Sequence, residues 1–239
     1  MNPHETLAVD GYLMLPNVFD STAIESLAER LMDDLVAHPG PAVLQSRDRI
    51  YGSRNLLAAS PWLAELAAHP GLYRVLRQTL GENVGLVRGL FFDKPPDRTW
   101  SLPWHRDRTI AVKDNSQPTF TFKNPTCKAG IAHFEAPESL LNEMLTLRIH
   151  LDAMTAENGP LAVIPGSHLL DSSQEAAPLV LSANAGDVLA MRPLLSHSSS
   201  MSKEGTTAHR RIVHLEFAAE KNLPDGVQWN DFLPLPVNR

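Results

Sequence analysis

The apolar residues change their rhythm at Val84, and that change constrains the fold more than any single motif. Before it, Ile24, Leu27, Leu31 and Leu35 recur at the spacing of one helix face, which predicts a helix over Ser21–His38. Thr22 and Glu25 read as a capping box at its start. Ser60-Pro61-Trp62 reads as a cap with proline in the first helical turn, and a further helix runs from Gly71 to Leu80 and stops at Gly81. Gly11–Pro16 is the one short strand expected in this part. After Val84 the apolar residues come in short runs: Val84–Asp93, broken by Pro95-Pro96, then Thr146–Asp152, Leu161–Ile164, Gly186–Arg192 and Arg210–Phe217. Nineteen prolines against thirteen glycines fit stiff loops between short strands rather than a helical bundle. Helices first and strands later suggest an α+β fold with the helices packed on one side of a sheet. Ile110–Glu135 is polar with little periodicity and reads as a long loop, followed by a short helix over Pro137–Leu145.

A chain of 239 residues is long enough for one domain with a sizeable core, so residues 1–239 are read as one unit. The net charge of −6 and the absence of basic runs argue against a nucleic-acid partner. Cys127 has no second cysteine to pair with, and Met1–Asp10 has neither the basic start nor the apolar centre of a secretion signal. No apolar stretch reaches membrane-spanning length, so no membrane association is expected and a cytoplasmic location is. Nothing in the sequence fixes the oligomeric state; a monomer is the default.

Trp104-His105-Arg106-Asp107 carries the chemistry. In an extended segment, residues i and i+2 point to the same face, so His105 and Asp107 can grip one metal ion. Alone, such a pair is far more often a surface turn or a satisfied polar pair than a metal site. A third ligand must come from His69, His133, His150, His168, His197, His209 or His214. His197 is preferred: the strand Ala185–Arg192 leads into Pro193-Leu194-Leu195-Ser196-His197, a strand-end position ninety residues beyond Asp107. Two histidines and one carboxylate leave three positions of an octahedral metal open, which suits Fe(II) that must bind a cosubstrate and O2 together.

Phe92-Asp93-Lys94-Pro95-Pro96-Asp97, Pro103-Trp104-His105-Arg106-Asp107, Glu157-Asn158-Gly159-Pro160-Leu161, Val163-Ile164-Pro165-Gly166-Ser167-His168, the Gly186-Asp187 turn, and His197 followed by Arg210 resemble, in order and spacing, the phytanoyl-CoA dioxygenase family. The likeness runs from about Gly11 to Phe217. It implies a double-stranded β-helix, the cupin-like jelly roll, over residues 84–217, with the mainly helical residues 1–83 beside it. It implies Fe(II), 2-oxoglutarate and O2, with His105, Asp107 and His197 as metal ligands and catalytic centre. It also implies hydroxylation of an unactivated C–H bond of a small molecule, with release of succinate and CO2. An acidic residue at position 107 disfavours halogenation, since related halogenases carry a small residue there.

The family places an arginine for the distal carboxylate of 2-oxoglutarate shortly after the second histidine. Arg210 fits, with Arg211 as competitor. Alternation sends Arg210, Ile212 and His214 to one face and Arg211, Val213, Leu215 and Phe217 to the more apolar other, so Arg210 is assigned to the pocket. Arg88 and Lys94 share a parity on the preceding strand and are further candidates for a carboxylate contact. Arg148, on one face with Thr146 and His150, is a candidate for an anionic substrate or for an ordinary ion pair. His168 is read as structural, and Arg106 as pointing away from the metal. Residues 110–145 are a candidate substrate lid. Two other readings share these ligands: a cupin-like hydrolase or isomerase holding Zn(II) or Mn(II), and a non-catalytic ligand-binding module.

Overall fold

Polarity with a period of two on central strands that are buried on both faces organises the molecule. The computed structural model describes residues 3–46, 49–169 and 176–235; Met1 and Asn2, the start of the segment read for a secretion signal, lie outside them. The first part comprises α1 (Pro3–Val9), β1 (Tyr12–Leu15), α2 (Ser21–Ala37), β2 (Val43–Ser46), β3 (Arg49–Ser53), the one-turn helices α3 (Leu56–Ala59) and α4 (Leu63–Leu66), and α5 (Pro70–Leu80). There follow β4 (Gly85–Lys94), β5 (Leu102–His105), β6 (Thr109–Val112), β7 (Lys123–Lys128), β8 (Ile131–Glu135), α6 (Glu138–Leu141) and β9 (Met144–His150). The chain continues through β10 (Leu161–Val163), β11 (Leu179–Val180), β12 (Val188–Met191), β13 (His197–Ser199), β14 (Arg210–Ala218) and β15 (Leu233–Pro234).

The large sheet has the order β1-β12-β9-β14-β4-β3-β2, with β15 added on β4; a smaller one has the order β11-β10-β13-β5, and among the described residues the strands of both pair antiparallel. The two form a jelly roll. On its outer face the large sheet presents Leu145, Leu147, Ile149, Val213, Leu215 and Phe217 to Ile24, Leu27, Leu31, Leu35, Leu72 and Leu76 of α2 and α5. Each such side chain stabilises the fold by about 1.5–3 kcal/mol when fully buried. The inner face is polar: Arg88, Lys94, Thr146, Arg148, His150, Arg210, His214 and Glu216 are all buried. A bulge at Val87, where Phe217 pairs with Leu86 and Glu216 with Arg88, lets Leu86 join the helix-side core while Arg88 turns inward. Gly89 lets α3 approach β4: a Cβ there would lie 3.0 Å from the Leu56 Cβ.

Four expectations change. The cap of α2 is Asp20, whose carboxylate accepts the Ala23 N–H at 2.8 Å; Thr22 lies two residues too late, already inside the helix. Ser60 closes α3 instead of opening a helix, its N–H donating to Leu56 O and its hydroxyl to Asp34 at 2.6 Å. The amino-terminal part contributes three strands to the large sheet as well as helices. The stretch read as a loop over 110–135 is a three-stranded sheet, β6-β8-β7, hidden because Lys123–Lys128 is polar, contains Pro125 and is largely exposed, so it lacks the alternation that marks a strand.

Candidate metal centre

His105 ends β5 and His197 begins β13, and the two are direct partners across the antiparallel pair, with ring centroids 4.2 Å apart. Asp107 follows just beyond β5, fixed by its N–H donating to Pro193 O at 2.8 Å. Its two oxygens lie 3.9 Å from His105 Nε2 and 3.7 Å from His197 Nε2. These separations exceed a hydrogen bond but suit three atoms around one ion with bonds of about 2 Å. All three ligand atoms lie within 4.8 Å of one another. The Nδ1 of His105 donates to Pro103 O at 2.7 Å and that of His197 to Leu195 O at 2.9 Å, since a carbonyl can only accept. That fixes the tautomer and turns both Nε2 lone pairs toward Asp107. Burial works against the Asp107 charge, but His197, His214, His105 and Arg88 outweigh it and hold the carboxyl below its usual range.

The turn Pro165-Gly166-Ser167-His168 binds the two ligand segments together. Ser167 Oγ accepts the Ser196 N–H at 2.8 Å, beside His197, and Ser167 O accepts from Arg106 at 2.6 Å, between His105 and Asp107. Arg106 therefore points away from the ligands. His168 is structural, its Nε2 bonded to Ala8 O at 3.2 Å. Asp187 clamps its turn by accepting from Asn17 N and Asn184 N at 2.8 and 2.7 Å. The family-like blocks around the centre are thus largely its scaffold.

Opposite the trio, register sets the inner face in rows: Lys94 beside Arg210, Ile212 beside His150, His214 beside Arg148, and Glu216 between Arg88 and Thr146. Several of these groups are buried without a partner: Nε and one terminal nitrogen of Arg210, Nε of Arg148, both nitrogens of His150, and the hydroxyl of Ser199. Orphaned polar atoms of this density mark a place for a ligand. Burial brings Arg210 to about 10 and, with the nearby Arg210 charge, Arg148 to about 9, so both stay cationic near neutrality. His150 and His214, desolvated and next to Arg148, fall to about 3 and are neutral. Lys94 is fully enclosed; its Nζ donates to Ser200 O at 2.8 Å and lies 5.3 Å from the Trp100 ring. Desolvation first, then Arg210 and Arg148, bring its amine to about 7. Gly159, at φ 72°, permits this contact, because a Cβ there would come within 2.9 Å of Lys94 Nζ.

Arg210 and Lys94 thus sit together, whereas Arg88 does not join them. It lies six residues along the β14 register, roughly 20 Å away, paired with Glu216 at 3.2 Å. Arg211 is outside, bound to Asp152 at 2.7 Å. Ser199 escaped the sequence reading, although it stands two residues after His197 and so shares its face.

The sequence pattern of the family described as Phytanoyl-CoA dioxygenase (PhyH) matches residues 7–212. The ectoine dioxygenase of Sphingopyxis alaskensis is 28% identical over 165 residues, covering 66% of this chain and 46% of that protein, so the chain spans about half the length of this curated relative. The crystal structure of EctD from S. alaskensis with bound Fe superposes with a TM-score of 0.68 at 22% identity, over 99% of this chain and 80% of that one. The non-heme alpha-ketoglutarate-dependent epimerase SnoN from nogalamycin biosynthesis gives 0.66 at 19% identity, over 99% and 95%. At these identities the structural likeness speaks for the fold.

Proposed function

Since the chain belongs to the phytanoyl-CoA dioxygenase family, we propose that it is an Fe(II)- and 2-oxoglutarate-dependent dioxygenase hydroxylating a small molecule. The observation that carries this reading is the pairing of an open His105–Asp107–His197 trio with an unpartnered, buried arginine, Arg210, on the facing sheet. A hydrolase or isomerase would need the trio but not the arginine. When bound, Fe(II) with 2-oxoglutarate and O2 supplies the oxidising power to hydroxylate a C–H bond, with succinate and CO2 as coproducts. The residues present fit that group: two imidazoles with fixed lone pairs, one carboxylate, and buried cations on the facing strands.

His105, Asp107 and His197 would hold the metal. Arg210 offers a planar pair of N–H donors to the distal carboxylate of the cosubstrate, and burial keeps water from competing. Lys94 beside it adds a second donor, and the Ser199 hydroxyl a third, on the strand that carries His197. His150 and His214, being neutral, line the space without adding charge. We take residues 1–239 as one catalytic unit, 84–217 as its barrel and 110–145 as the wall that selects substrate. No helix among the described residues is long and apolar enough to cross a membrane. We place the protein in the cytoplasm as a monomer without nucleic-acid partners.

Anaerobic titration of the Fe(II)-loaded protein with 2-oxoglutarate tests this. A visible metal-to-ligand charge-transfer band, lost in His197→Ala and weakened in Arg210→Ala, is the expected result. Bound iron without a band would overturn it in favour of metal-dependent hydrolysis or ligand sensing.

A further inference from the structure

The far side of the Asp107 carboxylate, away from Arg210, is lined by positive charge that the reading above does not use. Arg88 on β4 and Lys128 at the end of β7 both act on its charge, and Arg54, in the segment after β3 with its guanidinium 6.0 Å over the Phe92 ring, acts in turn on Lys128. Glu216 on the large sheet faces them, and it already pairs with Arg88 at 3.2 Å. Among the described residues, Lys128 Nζ hydrogen-bonds the Thr109 hydroxyl alone, at 2.8 Å. Nε of Arg88, buried, has no partner. Beside them His133 of β8 is 1% exposed; its Nδ1 donates to Ile131 O at 2.9 Å, and its Nε2 is left without a partner.

Arg88 and Lys128 share one carboxylate outside the metal trio, Glu216, and Arg54 stands next to Lys128, so the three cations repel one another unless an anion arrives. Burial first, and then Arg88 and Arg54, hold the Lys128 amine below the usual lysine range. Burial and Arg88 bring His133 to about 4, so it is neutral, with a lone pair on Nε2. A lone pair cannot receive an oxyanion, but it can accept from an O–H or N–H.

On the dioxygenase reading, we propose that the substrate binds between Asp107 and the β6-β8-β7 sheet, as a small oxyanion held by Arg54, Lys128 and Arg88. An adjacent hydroxyl or amine of the same molecule donates to His133. The substrate class is thus an acid, carboxylate or phosphate, that also carries a hydrogen-bond donor, and Lys128 and His133 are the residues through which the 110–145 segment selects it.

The experiment is calorimetric titration of the anaerobic protein with Fe(II) and saturating 2-oxoglutarate, using acetate, glycolate and inorganic phosphate as probes. Saturable binding is expected, weakened about tenfold or more by Lys128→Met and by Arg54→Met, both partly exposed and tolerant of change. Acetate against phosphate identifies the oxyanion. Glycolate should bind more tightly than acetate, and His133→Phe should erase that difference. No binding of any probe, or binding unchanged in both Lys128→Met and Arg54→Met, overturns the proposal. The charge-transfer band recorded on the same sample reads the dioxygenase chemistry separately: a missing band counts against that chemistry, while loss of probe binding with the band intact counts against the anion site alone.

Discussion

Val213, Leu215 and Phe217 on the outer face of β14 are 0–1% exposed, and Arg210, His214 and Glu216 on its inner face are nearly as buried, at 5–7%. Burial is almost equal; its energetic sign is opposite. Outside, each buried side chain adds stability through removal of apolar surface and close contact with α2 and α5. Inside, desolvation of charged groups without partners subtracts from it. The strand holds both because its two-residue period separates them, and because the helix-side core is large enough to keep the polar face in place. What the comparison teaches is that this sheet has one face for folding and one for chemistry.

Substitutions on the two faces should therefore separate activity from stability. The largest effect is expected at the trio: Asp107→Ala should lower metal affinity by more than about 100-fold, the upper end for residues that merely support a ligand, and abolish succinate formation. Its melting temperature should stay within a degree or two of the parent's, and a large drop would show that the trio also holds the fold. Phe217→Ala should do the reverse. It should cost about 3–5 kcal/mol in denaturant unfolding while the folded fraction binds 2-oxoglutarate normally; weakened binding per folded molecule would mean that the two faces are coupled.

Arg210→Met tests the inner face more finely. Loss of the fork should weaken 2-oxoglutarate by about 2–3 kcal/mol, near 100-fold. Removal of a buried, unpartnered charge should leave stability unchanged or raise it by about 1 kcal/mol. Destabilisation on a urea curve would contradict an inner face that opposes folding.

The smallest effect is a pH dependence from Lys94. Its amine, brought to about 7 by desolvation and by Arg210 and Arg148, loses its proton as pH rises from 7 to 9. A bound dianion raises that value, so binding above pH 7 takes up a proton, and the affinity for 2-oxoglutarate should fall by up to about tenfold across this range. Stability follows the opposite trend. The folded amine binds a proton less readily than the unfolded one, so the penalty of burying it is fully present below pH 7 and is relieved as pH rises toward the ordinary lysine value. Lys94→Met should flatten both profiles, and an unchanged affinity profile in that variant would remove Lys94 from the cosubstrate end.

The same two faces explain how much was legible in the sequence. Alternation along Arg210–Phe217 was enough to place Arg210 inside and Arg211 outside, because the apolar odd positions mark the core without knowledge of any partner strand. The grouping of Arg88 with Lys94 by parity was right about the face and silent about distance along the barrel. That distance follows from strand rise alone, since six residues of β4 separate the two by roughly 20 Å. His197 could be picked from seven histidines because a strand and turn lead into it. His133 could not, since its strand pairs with the polar Lys123–Lys128 and its burial comes from tertiary packing. The cap of α2 was misplaced by a capping-box pattern that competed with a better acceptor, Asp20, just upstream.

Strand β5 is the outermost strand of the smaller sheet, and Leu102 and Trp104 on it are about half exposed. One of the three ligands therefore hangs from an edge that can fray by giving up its pairing with β13 alone, while His197 stays embedded between β10 and β5. Such an opening is sub-global and lies at the low end of the local stabilities of a folded domain. Escape of the metal is then governed by the lifetime of that edge, not by the lifetime of the fold, and His105 is the first hand to let go.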